Sequence, residues 1–143
     1  MTPEENKKIV SRLFAVILNP AEFHRTREFL TPDFVRHDIT KLFPDRFGIN
    51  AVDEHMSGWL AAVPDLQVDA VDVVAEGDRV CIRYIAYGTH TGTLLGQAGT
   101  GKPIKVDGIN IYRLVDGKIA ETWQFMDALN LLRQIGLLPS GNT

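Results

Sequence analysis

Ile111-Tyr112-Arg113-Leu114-Val115-Asp116-Gly117-Lys118-Ile119 is the stretch that decides how this chain folds. Asp-Gly between two runs of alternating apolar residues signals a two-residue hairpin turn, because both turn positions need positive φ. The turn predicts strands over 104–115 and 118–127, with Val115 opposite Lys118. An uninterrupted ladder then sets Asn110 opposite Trp123, Tyr112 opposite Glu121 and Val106 opposite Asp127. Directly paired residues share a sheet face, and side chains alternate along each strand. One face is therefore expected to carry Asn110, Tyr112, Leu114, Ile119, Glu121, Trp123, Phe125 and Asp127. The other carries Ile109, Ile111, Arg113, Thr122 and Gln124.

Outward from the hairpin, residues 80–90 form another long strand after the turn Glu76-Gly77-Asp78, and Leu66, Val68, Ala70 and Val73 approximate a two-residue period. The same alternation puts His90 on a face with Ile82, Tyr84 and Ala86. Before Pro64 the period is helical. Thr2 can cap a helix that has Pro3 first and Glu5 at the capping-box position, and Ile9, Val10, Leu13, Phe14 and Ile17 give it one apolar face. A second, short helix carries Phe23, Arg27 and Leu30 and stops before Pro32. A third runs over 50–63 and turns Val52, Met56, Trp59 or Leu60, and Val63 inward. A last helix over 128–135 ends at Gly136. Three helices, an antiparallel meander and a small helix describe one α+β domain over 1–143, with 139–143 as a flexible tail. Helices on one face of a long curved sheet leave a cavity between the layers, the default place for a site.

Composition narrows the function. The 143 residues are 45% hydrophobic with a formal charge of −3, and both signs are scattered along the chain. Nucleic-acid binding needs a basic patch, and Lys and Arg do not cluster. No apolar run approaches membrane-spanning length, and no basic stretch followed by an apolar one suggests a signal peptide. The single cysteine, Cys81, excludes an intramolecular disulfide; it is expected to be buried and inert, in a reducing, cytoplasmic setting.

Asp127 is the foremost candidate for chemistry. Trp123 and Phe125 on its expected face would disfavour its charged form and bring it nearer to proton transfer at neutral pH. From spacing alone, its position just before Ala128 favours a helix cap, and a helix N-terminus opposes the shift. Asn110 and His90 could each hydrogen-bond a substrate carbonyl, or belong to a satisfied interior network. Tyr84, Tyr87 and Tyr112 read as packing residues with a hydroxyl at the rim. His24, His37 and His55 lack ligand spacing, so they read as surface or structural and no metal is expected. Gly96-Gln97-Ala98-Gly99-Thr100-Gly101-Lys102 mimics a phosphate-binding loop, yet Pro103 stands where a helical Ser or Thr is required.

Tyr87-Gly88-Thr89-His90-Thr91-Gly92-Thr93-Leu94-Leu95-Gly96 resembles the SnoaL-like polyketide cyclases, whose corresponding strand ends in Gly-x-His-x-Gly. The likeness continues through Gly101-Lys102-Pro103, the hairpin, Trp123-Gln124-Phe125-Met126-Asp127 and Leu131-Leu132-Arg133-Gln134-Ile135-Gly136. The resemblance implies a cone-shaped α+β barrel, shared with ketosteroid isomerase. It also implies that Asp127 is the acid/base residue of a cofactor-independent aldol ring closure on a polyketide-type ester. At Asn110 the cyclase pattern can carry a histidine; asparagine donates a hydrogen bond but exchanges no proton. The resulting expectation is a metal-free cyclase with Asp127, Asn110 and His90 as catalytic residues. Trp123, Phe125, Tyr112, Trp59 and Tyr84 would hold a small apolar or aromatic carbonyl compound. The alternatives are a non-catalytic small-molecule binder and another proton-transfer enzyme, a dehydratase or isomerase, of the same fold. Ile109, Ile111 and Thr122 on the outer face suggest a homodimer.

Overall fold

The computed structural model describes residues 1–139; part of the expected tail, residues 140–143, lies outside the described residues. Helix α1 (Pro3–Ile17) starts at the capping box: Thr2 Oγ1 accepts the Glu5 N–H at 3.1 Å, and Glu5 Oε2 accepts the Thr2 N–H at 2.9 Å. A 3-10 segment over Phe23–Phe29 replaces the expected second helix and feeds strand β1 (Leu30–Asp38). The short β2 (Arg46–Phe47), helix α2 (Ala51–Ala62), strands β3 (Gln67–Glu76), β4 (Arg79–Thr89), β5 (Pro103–Val115) and β6 (Lys118–Met126), and helix α3 (Ala128–Gln134) follow.

The strands form one sheet in the order β2-β1-β6-β5-β4-β3. Every neighbouring pair is antiparallel except β1 and β6, which run parallel. The α+β class stands, but the expected order of three helices before any strand is corrected by β1. That strand was hidden by Pro32 and by Asp33, Arg36, His37 and Asp38. Pro32 is tolerated because the β1–β6 register is irregular between Leu30 and Val35, where no regular ladder bond is lost. Phe34, Arg36 and Asp38 then alternate into the interior.

The turn forms as read: Asp116 and Gly117 have φ of 48° and 81°. The ladder beyond it does not. Val115 pairs with Lys118 and Leu114 with Ile119, but Arg113 pairs with Glu121. Ala120 is a bulge, and it shifts β6 by one residue. Because the side-chain period is two, a one-residue slip sends each later side chain to the opposite face. Asn110 consequently lies opposite Gln124 rather than Trp123, and Tyr112 opposite Thr122 rather than Glu121. The bulge lets Ile119 and Ala120, adjacent in sequence, both be buried.

Two apolar clusters hold the layers together. One joins Val10 and Leu13 of α1 to Phe34, Ile82 and Tyr112 on the sheet. The other gathers Trp59, Val63, Ile104, Leu131 and Ile135, so that α3 closes the far end. Each fully buried Leu, Ile or Val contributes about 1.5–3 kcal/mol. Cys81, expected inside, is half-buried. It lies on the outer face, paired with Ile111. No described helix is long and apolar enough to cross a membrane.

Candidate active site

Between the helices and the inner face of the sheet lies a cavity of about 1000 Å³, including its open mouth. Phe14 and Ile17 of α1, Met56 and Trp59 of α2, and Val68, Ala86, Val106 and Met126 of the strands give it apolar walls. The polar side chains Arg36, His55, Tyr84, Asn110, Tyr112, Thr122 and Gln124 also line it, and all but His55 come from the sheet. No Asp or Glu is among the described lining residues.

Pairing brings the polar groups together. Arg36 on β1 lies beside Thr122 of β6, and Asp38 beside Gln124. Gln124 Nε2 donates to the Tyr84 hydroxyl at 2.8 Å, and Asn110 Nδ2 to the Tyr112 hydroxyl at 2.8 Å. Tyr84 is opposite Gly108, where an added Cβ would stand 2.2 Å from the phenol carbon and oxygen. The missing side chain is what lets the ring lie across β5 and reach β6. Burial raises the pKa of both tyrosines, so both remain neutral donors at physiological pH.

Arg36 retains only 5% of its surface. Its Nη2 donates to His55 Nε2 at 2.9 Å, which leaves the ring proton of neutral His55 on Nδ1. Burial first, then Arg36 and Arg46, hold the His55 pKa down to about 3, so the imidazole is uncharged through the physiological range. Among the described residues, Arg36 Nη1, Asn110 Oδ1 and Gln124 Oε1 are buried with no hydrogen-bond partner. Buried polar groups are normally paired, and three unpaired ones around one cavity mark a place for ligand atoms.

The predicted site residues divide. Trp59, Tyr84, Asn110 and Tyr112 line the cavity. Trp123 and Phe125 do not: the bulge turns them to the outer face, where Trp123 stacks on His37 at 5.3 Å and Phe125 is 54% exposed. Asp127 is also outside the cavity. It is exposed, and its Oδ1 accepts the Asn130 N–H at 3.2 Å, which makes it the cap of α3. His90 is fully buried but away from the lining; its Nδ1 meets the Thr100 hydroxyl at 3.1 Å and fastens the 96–101 loop to β4. Arg36 and His55 were missed. His55 lies one turn from Trp59 on the inward stripe of α2, a usable signal, whereas Arg36 depended on a strand that local pattern did not reveal. Among the described residues no three His, Cys, Asp or Glu side chains gather in a metal-binding group.

A family model for the SnoaL-like polyketide cyclases matches residues 8–135. Aklanonic acid methyl ester cyclase DnrD of Streptomyces peucetius is 28% identical over 111 residues, covering 76% of this chain and 72% of its own. Nogalonic acid methyl ester cyclase of Streptomyces nogalater is 27% identical over 111 residues, covering 76% and 78%. The structure of AclR, a proposed hydroxylase from Streptomyces galilaeus, matches with a TM-score of 0.83 at 28% identity, over 96% of this chain and 85% of AclR. That of a proposed SnoaL-like polyketide cyclase from Jannaschia sp. CCS1 matches with a TM-score of 0.86 at 25% identity, over 97% and 98%.

Two outcomes follow from these placements. Asp127→Asn retains a capping oxygen and is expected to keep near-native stability and turnover, while Asp127→Ala loses about 1 kcal/mol in denaturant unfolding. Gly108→Ala forces the Tyr84 ring off β5 and is expected to cost about 1–3 kcal/mol, read as a lowered melting temperature.

Proposed function

We propose, for a chain that belongs to the SnoaL-like polyketide cyclase family, that it closes a ring in a planar polyketide-type ester by intramolecular aldol addition without a cofactor. The observation that carries this is the division of the cavity: apolar walls for a flat hydrocarbon frame, and a cluster of donors around Arg36 and His55. The names of the relatives, cyclases of aklanonic and nogalonic acid methyl esters, support an enzyme of the cyclase type and suggest such esters as substrates.

The chemistry needs a proton taken from a carbon flanked by carbonyls. The C–H electron pair moves to a carbonyl oxygen as an enolate. The enolate carbon then attacks a second carbonyl of the same molecule, and the new alkoxide takes up a proton. One C–C bond forms, and product and substrate have equal mass. Arg36 Nη1 and the Tyr84 and Tyr112 hydroxyls suit the enolate oxygen, each preorganised donor being worth ~3 kcal/mol. Asn110 acts through Tyr112, whose hydroxyl it orients.

His55 is assigned as the proton acceptor, because among the described lining residues it is the one imidazole or carboxylate, a neutral base with a lone pair on its ring nitrogen. Its Nε2 is occupied by Arg36 at rest. As Arg36 turns to the forming enolate, Nε2 is freed and one of the two cations that disfavour its protonation is paired, while burial, the larger cause, persists. Asp127 is assigned as the cap of α3, not the acid/base group. The small aromatic ester is the partner, and the cytoplasm, where Cys81 stays reduced, the place of action.

A second copy of the chain is proposed for the outer face of the sheet. Val74, Ile109, Ile111 and Phe125 are exposed there, while Thr122, expected among them, faces inward. The flanking ion pairs Arg83–Asp72 and Arg113–Glu121 carry both signs, which lets the face meet its own copy without like-charge repulsion.

Purified protein incubated with aklanonic or nogalonic acid methyl ester is expected to yield a product of unchanged mass and altered retention, and His55→Gln to slow it by ~10²–10⁴-fold. Full activity in a folded His55→Gln protein removes His55 from the chemistry, and absence of conversion of both esters removes the substrate assignment. Sedimentation velocity at micromolar concentration is expected to show a dimer that Phe125→Glu shifts towards monomer; a wild-type monomer overturns the proposed interface.

A further inference from the structure

We infer that the cavity takes its ligand as an anion, a planar aromatic acid or enolate whose charged oxygen sits against Arg36 Nη1. This rests on the placement of the site in the cavity proposed above, but not on ring closure. Arg36 is a permanently charged group, nearly sealed from solvent, whose Nη1 has no hydrogen-bond acceptor among the described residues. Its one side-chain bond goes to neutral His55, and among the described residues it forms no ion pair. Asp38 and Asp45 act on it only through space: Asp38 Oδ2 accepts the Phe43 N–H at 2.7 Å, Asp38 Oδ1 is buried without a hydrogen-bond partner among the described residues, and Asp45 Oδ1 accepts the Asp38 N–H at 2.8 Å. The positive charge therefore faces the cavity without a partner in direct contact.

A neutral carbonyl oxygen would satisfy the Nη1 N–H and leave the cation without an anion in direct contact. An anionic oxygen satisfies the N–H and supplies that contact, through a charge-assisted bond in a low-dielectric place where such bonds are strong. The adjacent Tyr84 and Tyr112 hydroxyls, kept protonated by burial, add neutral donors that favour negative over neutral oxygen. The walls select what carries that oxygen: Phe14, Met56 and Trp59 present apolar surface to a flat frame.

Calorimetry with 2-naphthoate and its neutral, nearly isosteric relative 2-acetylnaphthalene at pH 7.5 tests this. Wild-type protein is expected to bind the acid at least tenfold more tightly, Arg36→Lys to keep part of the preference, and Arg36→Met to abolish it. Equal or tighter binding of the ketone by wild type overturns the inference, as does failure to bind either probe at millimolar concentration. An Arg36→Met protein with a cooperative melting curve and an intact preference does the same. Should Arg36→Met not fold, the wild-type preference alone decides. Binding of the acid without conversion of the esters would refute the cyclase assignment and leave this inference standing, and conversion without acid preference would do the reverse.

Discussion

Opposite Leu114 and Arg113, strand β6 carries one residue more than its partner can pair, and the chemistry of the inner sheet face depends on that bulge at Ala120. Before it, Ile119 packs inward in step with Tyr112 and Leu114; after it, Thr122, Gln124 and Met126 point inward in place of Glu121, Trp123 and Phe125. Without the extra residue the cavity would receive a carboxylate and two large aromatic rings, and Tyr84 would lose the Gln124 amide that fixes its hydroxyl. Bulges recur beside functional sites because they re-aim side chains without changing the strand order.

The second constraint is electrostatic. A guanidinium buried in an apolar cavity is costly unless its neighbours and ligand complete it. Asp38 is the largest favourable influence on Arg36, and it also anchors the loop after β1 by accepting the Phe43 N–H. The Phe43 ring then packs against His55 at 5.4 Å and Trp59 at 5.6 Å. One buried carboxylate thus acts on the cation through space and holds the apolar cover over the imidazole. Burial, with help from Arg36 and Arg46, keeps that imidazole neutral.

The outer face obeys different rules. His37 stacks on Trp123 and bonds Glu121 at 2.7 Å, and Arg113 reaches the same carboxylate at 2.9 Å. Those bonds, with His37 foremost, hold the Glu121 pKa below the usual carboxylate range. The aromatic and carboxylate side chains that looked like cavity material from their spacing are used instead on the surface. The family model shows the family and the similar solved structures the fold, while a reaction depends on the particular groups that face the cavity.

What the sequence by itself determined is local in origin. The capping box at Thr2 and Glu5, the Asp116-Gly117 turn, the stop at Gly136 and the apolar stripe of α2 each rest on residues within a few positions of one another. Their energetics are complete before any distant contact forms. Asn110 and Tyr112 share a face as read because they precede the bulge, where simple alternation still holds. The tertiary structure alone decided β1, whose ladder partner lies more than eighty residues further along the chain. It also decided the slip at Ala120, for which the adjacent apolar pair Ile119-Ala120 is only a faint sign. Arg36, Gln124 and the outward turn of Trp123 and Phe125 follow from those two features. A parallel pairing and a one-residue bulge are set by which long-range packing buries the most apolar surface, a quantity that no short window of sequence contains.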